Sequence, residues 1–237
     1  MLPWGLFVCY NSSMTEAQIT TYEYISKSIL ELSSKSPSLI AISGKDASGK
    51  TIMANILAEY LKKKTSRQII RISADDFMNQ RSIRRTPTGS EGESCYKYTF
   101  NFDLLKKFVL EPLQVNGSYI YKTKVFDQST DCEMISDNQK ANDDAIVIID
   151  GVFLFRKDLV NYWSLKVLLE TDDDVLIERG ALRDAVRIGS YIEARDKYIN
   201  RYIASQTIYY NEEYPEKVAD IIVNNNDYNS PVVTPVK

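Results

Sequence analysis

The 237-residue chain contains no histidine. That absence removes imidazole acid–base chemistry, histidine-ligated metals and serine–histidine–aspartate hydrolysis together, and leaves proton transfer to carboxylates. Cysteine is nearly as scarce. Cys9, Cys95 and Cys132 are odd in number, far apart and not in a C-x-x-C pair, so neither a disulfide framework nor a zinc site is indicated and a reduced, cytoplasmic setting is expected. Basic charge is not in excess either: 29 Lys and Arg stand against 32 Asp and Glu, a net charge of −3. The chain therefore lacks the footprint of a general nucleic-acid binder, and any phosphate site must be local. The apolar opening, Met1 to Tyr10, has no basic leader, holds Pro3 and is too short to cross a bilayer, so no export signal and no membrane partner are expected. No internal repeat or linker interrupts the remainder of the chain. Residues 15–237 read as one domain behind a peripheral or disordered extension, residues 1–14.

What is present is Gly44-Lys45-Asp46-Ala47-Ser48-Gly49-Lys50-Thr51, which fits G-x-x-x-x-G-K-[ST] at every fixed position. In such a loop the glycines let consecutive N–H groups turn inward toward phosphate oxygens, Lys50 supplies a point charge, and Thr51 offers a hydroxyl to Mg2+. The flanks agree. Ser38 to Ser43 reads as a short buried strand, and Ile52, Ile56, Leu57, Tyr60 and Leu61 fall at helical spacing after the loop.

Further strands are expected over 68–73, running into Ala74-Asp75-Asp76-Phe77, over 145–151, ending in Asp150, over 164–170 and over 218–223. Alternating with helices, they call for an α/β fold with a mostly parallel sheet and helices on both faces. Residues 78–98 read as a long loop, either disordered or a substrate-side flap, residues 102–113 as a helix, Ser118 to Tyr121 with Lys124 to Asp127 as a hairpin, and 129–144 as loop. Between Val175 and Tyr210 the pattern is helical and heavily charged.

Phosphoryl transfer asks the protein mainly for positioning and charge neutralisation, with an acid to orient or deprotonate the attacking hydroxyl. Asp75 and Asp76 compete for that last task; as neighbours at a strand end they should face opposite ways. Asp150 is placed to act on a metal ion with Thr51. Arg179, Arg183 and Arg187 stack three like charges on one helical face, a strain that a bound polyanion would relieve if a lid over about 175–195 closed on a triphosphate; Glu178, Asp184 and Glu193 are the local alternative. Arg81, Arg84 and Arg85 are candidates for touching an acceptor. Tyr191, Tyr198, Tyr202 and Tyr209 read as a core stripe without a functional role.

Taken in order, the loop at 44–51, Ile72 to Phe77, Val125-Phe126-Asp127, Ile148 to Leu154, Leu182-Arg183-Asp184 and Ala219 to Asn225 resemble the uridine kinase family of P-loop kinases. The resemblance implies a three-layer P-loop NTPase fold with a helical lid, ATP and Mg2+ as cofactors, and phosphorylation of a small-molecule hydroxyl, nominally that of uridine or cytidine. It also implies Asp75 as the base and Arg183 as the best-matched lid arginine beside Arg179 and Arg187; Asp75, with Asp76, Arg85, Phe126 and Asp127, makes up the expected substrate side. Where family members place Glu before Gly on the metal side, this chain has Asp150, one methylene shorter. Where uridine–cytidine kinases read the pyrimidine with an aromatic and a histidine, it offers Phe126 and Asp127 and no histidine. A pantothenate-like or sugar-phosphate acceptor is the alternative within the kinases, and a nucleotide-binding regulator the alternative outside them; no Asn-Lys-x-Asp guanine-reading segment is present. A homo-oligomer is compatible with all of this.

Overall fold

The structure, a computed structural model, describes residues 14–87 and 89–235, so the expected N-terminal extension lies, apart from Met14, outside the described residues. Its centre is β1 (Ser38–Gly44), in which every residue is buried. Around it lie β2 (Ile69–Ser73), β3 (Ile146–Gly151), β4 (Leu165–Glu170), β5 (Ile221–Asn224) and β6 (Val232–Pro235), in the spatial order β6-β5-β4-β1-β3-β2. The first five strands are parallel and β6 is antiparallel to β5.

Both faces of this sheet are covered, which is why its inner strands are apolar over most of their length rather than alternating. Leu39, Ala41, Ile70, Ile72, Val147 and Ile149 point to one side, where Phe77, Leu105, Phe153 and Tyr209 pack on them. Ile40, Ile42, Ile146, Ile148, Val167 and Leu169 point to the other. There they meet Tyr22, Ile25 and Ile29 of helix α1 (Glu16–Leu30) and Met53, Leu57 and Leu61 of α2 (Lys50–Lys62). A capping box starts α1: Thr15 Oγ1 accepts from Gln18 N–H at 3.2 Å, and Gln18 Oε1 accepts from Thr15 N–H at 3.0 Å. The same end is tied to the chain leading into β6, with Thr15 Oγ1 donating to Asn229 O at 2.6 Å and Gln18 Nε2 to Tyr228 O at 3.0 Å.

The sequence order reverses across β1, between β3 and β4, so the crevice at its carboxyl end is where a ligand belongs in such a sheet. On the far side of that crevice stand α3 (Glu91–Tyr98), α4 (Asp173–Ile188), α5 (Tyr191–Lys197) and α6 (Ala204–Glu213), with a π-helical turn, Tyr198–Ile203, joining the last two.

Three local expectations are corrected. The 78–98 stretch is not all loop: it contains α3, whose Ser90 and Glu93 form a second capping box. The hairpin between Ser118–Tyr121 and Lys124–Asp127 does not form, because Ile120–Tyr121 pairs with Gln139–Lys140 and Phe126–Asp127 with Cys132–Glu133, residues expected to be loop. The sheet does not close at 218–223 either; Pro215–Val218 is a helical turn, β5 starts at Ile221, and β6 adds the antiparallel edge.

Candidate functional site

The loop between β1 and α2 is built for an anion. Gly49 caps α2 with φ +94°, and a Cβ there would lie 2.8 Å from Asn225 Nδ2, so only glycine fits both the turn and the close approach. Asn225, buried after β5, donates to Ser48 O at 2.7 Å and pins the loop from below. Lys50 opens α2 at the positive end of the helix dipole. Its side chain is buried, and Nζ donates to Lys45 O at 2.7 Å. Burial holds its pKa below the usual lysine value, against the pull of Asp46, Asp150 and Asp75. The buried Ser48 Oγ has no partner. An ammonium with spare donors and an orphaned hydroxyl in a ring of backbone N–H groups fit a polyphosphate.

Beside the loop, Thr51 Oγ1 donates to Asp150 Oδ2 at 2.5 Å. The other oxygen, Asp150 Oδ1, accepts from Arg71 Nη2 at 2.8 Å, and Arg71 also reaches Ile148 O at 2.7 Å. This buried carboxylate is therefore held on both sides. Among the described residues no group of three or more His, Cys, Asp or Glu forms a metal cage. One carboxylate with one hydroxyl suits Mg2+, which keeps its waters and takes its remaining ligands from phosphates.

Asp75 follows β2. Ala74 lies so close to Gly151 that a Cβ on the glycine would meet Ala74 Cβ at 2.5 Å, and this approach sets the ends of β2 and β3 side by side. Asp75 then shares one electrostatic neighbourhood with Lys50, Asp46 and Asp150. Asp75 is exposed, yet the protein around its carboxylate strips part of its solvation. That loss of solvation, then Asp46 and Asp150, push its pKa up to about 7, with Lys50 pulling the other way. Asp76 takes the opposite side: its carboxylate is 3.7 Å from Lys124 Nζ, and its backbone oxygen accepts from Val125 N–H at 3.0 Å. Burial raises its pKa and Lys124 opposes the rise.

A pKa above the ordinary 3.8 means that ionised Asp75 opposes folding of the nucleotide-free protein. The penalty is absent below the unfolded-state value, grows with pH, and is complete above about 7. Asp75→Asn should accordingly raise the melting temperature of the nucleotide-free protein at pH 8, and by less at pH 5, in a thermal unfolding series.

The helical arginines are not left to repel one another. Arg179 donates to Asn225 O at 2.9 Å and Asn226 O at 2.7 Å, bracing the chain that pins the loop. Asp184, buried, accepts from Arg183 at 3.2 and 3.3 Å, from Tyr198 Oη at 3.1 Å and from Arg187 at 2.9 Å. Relief by a polyanion is thus not needed to explain the spacing. Proximity says more: Arg183, half-exposed, acts electrostatically on Lys50 and Asp46. Tyr198 belongs to the core, as its place in the tyrosine stripe suggests, and also positions Arg183, its Oη accepting from Nη2 at 2.7 Å. It packs on Gly180 so closely that a Cβ there would overlap the Tyr198 ring. Gly180→Ala should cost about 1–3 kcal/mol despite the better helix former, read as a shift in the urea midpoint.

Comparison with known proteins places this geometry. The model of the phosphoribulokinase / uridine kinase family matches residues 39–228. The chain belongs to that family. It is 28% identical over 196 residues to a uridine kinase of Lactobacillus helveticus, covering 79% of this chain and 86% of that one. It is 26% identical over 175 residues to a chloroplastic uridine/cytidine kinase of Arabidopsis thaliana, spanning 70% of this chain but 34% of the plant protein. Among solved structures, a possible uridine kinase from Bacillus stearothermophilus superposes with a TM-score of 0.69 at 22% identity, over 86% of this chain and 97% of that one, which shows the P-loop kinase fold.

Of the residues expected on a substrate side, several are already engaged by their neighbours. Phe126 is buried, and the Arg84 guanidinium covers its ring at 5.4 Å. Asp127 accepts from Ser129 N–H, Ser129 Oγ and Thr130 Oγ1, bonds that hold its pKa below the usual carboxylate value. Arg85 is exposed and lies in the field of Lys197, whereas Arg84 pairs with Asp131 at 2.8 Å. Sequence reading passed over Arg71 and Gln206, which donates to Asp46 at 2.9 Å, and took Asn225 only as the end of a matching segment, without a role. Of these, only an arginine inside an otherwise apolar strand, Arg71, carried a visible signal.

Proposed function

We propose that the chain is an ATP- and Mg2+-dependent kinase that transfers the γ-phosphoryl group to the hydroxyl of a small molecule, with uridine and cytidine the nominal acceptors. The observation that carries this is the shared electrostatic neighbourhood of Asp75 and Lys50 across the carboxyl edge of β1, β2 and β3. Lys50 and the N–H groups of 44–51 hold the phosphates. Thr51 and Asp150 would hold Mg2+, which supplies neutralisation of the phosphate charge when bound. Asp75 accepts the proton of the attacking hydroxyl; a base with a pKa of about 7 suits that task near neutral pH. Arg183, aimed by Asp184 and Tyr198, meets the charge that develops on the transferred group. The partner in this reading is a small molecule, and the compartment it proposes is the cytoplasm. No helix among the described residues is long and apolar enough to cross a membrane.

The test is acceptor-dependent ADP release, followed with a coupled assay across uridine, cytidine, pantothenate and ribose 5-phosphate with Mg2+. At least one acceptor should accelerate ADP formation well above the water background. ATP turnover that no hydroxyl compound accelerates would contradict the kinase reading and favour a nucleotide-binding regulator.

A further inference from the structure

β2 stands at one end of the strand order, and its side chains alternate between the two faces of the sheet. Ile70 and Ile72 enter the core on one face, so Arg71 between them points to the other, toward α2. A guanidinium placed there must find acceptors for its donors. It finds four. Nη2 donates to Asp150 Oδ1 at 2.8 Å, Nη1 to Ile148 O at 2.7 Å and to Ile72 O at 3.0 Å, and Nε to Asn55 Oδ1 at 3.2 Å.

These bonds join three elements. Ile148 lies opposite Arg71 in the parallel register of β2 and β3, and Asp150 follows two residues later on the same face of β3. Asn55 lies one turn after Thr51 on α2. With Thr51 Oγ1 donating to Asp150 Oδ2, the chain of contacts Asn55, Arg71, Asp150, Thr51 closes from helix to strand and back to the helix. Thr51 alone would leave the carboxylate free to turn about its Cβ–carboxyl bond, a soft torsion for Asp. Arg71 removes that freedom by holding the second oxygen. Its planar fork reaches Asp150 and the Ile148 carbonyl from two nitrogens at once, which the single point of a lysine ammonium does not reproduce.

A simpler role would be to neutralise a buried carboxylate, whose side chain is only 3% exposed. That role predicts the opposite effect on a divalent cation. An arginine that only cancelled charge would compete with Mg2+, and its removal would tighten the metal. The tie to Asn55 favours orientation instead, because it joins the guanidinium to the helix that carries Thr51 and contributes nothing to the charge of Asp150.

We propose that Arg71 is a positioning residue of the metal side: by fixing the Asp150 carboxylate against Thr51, it sets how strongly the phosphate loop prefers a nucleotide carrying Mg2+ over the bare nucleotide. The proposal rests on the reading of Thr51 and Asp150 as the residues that would hold Mg2+, and adds the residue that holds them in register. Partners that orient metal ligands are typically worth about 10- to 100-fold in metal affinity.

Isothermal titration of a non-hydrolysable ATP analogue into the full chain, once in saturating Mg2+ and once in EDTA, reads that preference as the ratio of the two affinities. In Arg71→Gln, checked for an unchanged melting curve, the ratio should fall about tenfold or more. In Asp150→Asn the ratio should be low already, and adding Arg71→Gln should lower it no further, since the arginine acts through the carboxylate. Arg71→Lys keeps a charge and loses the fork; its ratio should lie between those of the wild type and Arg71→Gln, and it carries the test if Arg71→Gln does not fold. A folded Arg71→Gln with an unchanged or higher ratio, an Arg71→Lys equal to the wild type, or a loss that persists in the Asp150→Asn background would overturn the proposal. If an acceptor turns over while the ratio ignores Arg71, the kinase reading stands and this inference falls. If the ratio follows Arg71 yet no acceptor yields ADP, Arg71 keeps its role and the kinase reading falls.

Discussion

Asp75→Asn should lower acceptor-dependent ADP formation by about 10²- to 10⁴-fold, the usual contribution of a positioned base. The amide keeps the shape of the carboxylate and removes only its capacity to take a proton. Binding of an ATP analogue should survive, because the substitution deletes a negative charge from a cleft that must receive a triphosphate beside Asp46 and Asp150. The wild-type pH profile carries the same information. Asp75 must be ionised to act, so kcat/KM should climb through a pKa of about 7 and stand about tenfold lower at pH 6 than at pH 8. Asp76→Asn should leave that limb in place, since Asp76 faces Lys124 instead.

Lys50→Ala should be as damaging and for a different reason. Its ammonium is buried in the loop and donates to Lys45 O, so the side chain is positioned before the nucleotide arrives. Removing a preorganised donor to developing charge costs about 10²- to 10³-fold in kcat, and here nucleotide affinity should fall with it. The two variants therefore separate: Asp75→Asn loses transfer and keeps nucleotide, while Lys50→Ala loses both. Their coupling adds a second consequence. Lys50 is the group that pulls the Asp75 pKa down, so in Lys50→Ala the residual activity should titrate at higher pH than in the wild type.

How much of this could be read from the chain depended on whether a constraint was local. The phosphate loop is legible because each fixed residue answers a demand met within eight positions, and Gly49 with its φ of +94° shows the demand in the backbone. Asp150 and Asp75 could be found because each ends an apolar run at the same edge of a parallel sheet. Long-range partners were not visible. Nothing near Asp150 in sequence announces Arg71, and nothing near Ser48 announces Asn225. Short elements failed for lack of periodicity: the two-residue strands at Ile120, Phe126, Cys132 and Gln139 are too brief to alternate, and β6 sits beyond the last apolar run. Helix α3 was lost although Ser90 and Glu93 spell its capping box, because its mixed composition hides an apolar face.

One cleft, shared by the loop at 44–51 and Asp75, is the centre of the proposed mechanism. The most direct measurement is the distance from the Asp75 carboxylate to the γ-phosphorus in a crystal structure of the chain with Mg2+ and a non-hydrolysable ATP analogue. One acceptor oxygen must fit between them, about 2.6–3.2 Å from the base and about 3–3.5 Å from phosphorus, so the expected separation is roughly 4–6 Å. A separation beyond about 10 Å with the lid closed leaves no room for direct proton transfer and contradicts the mechanism.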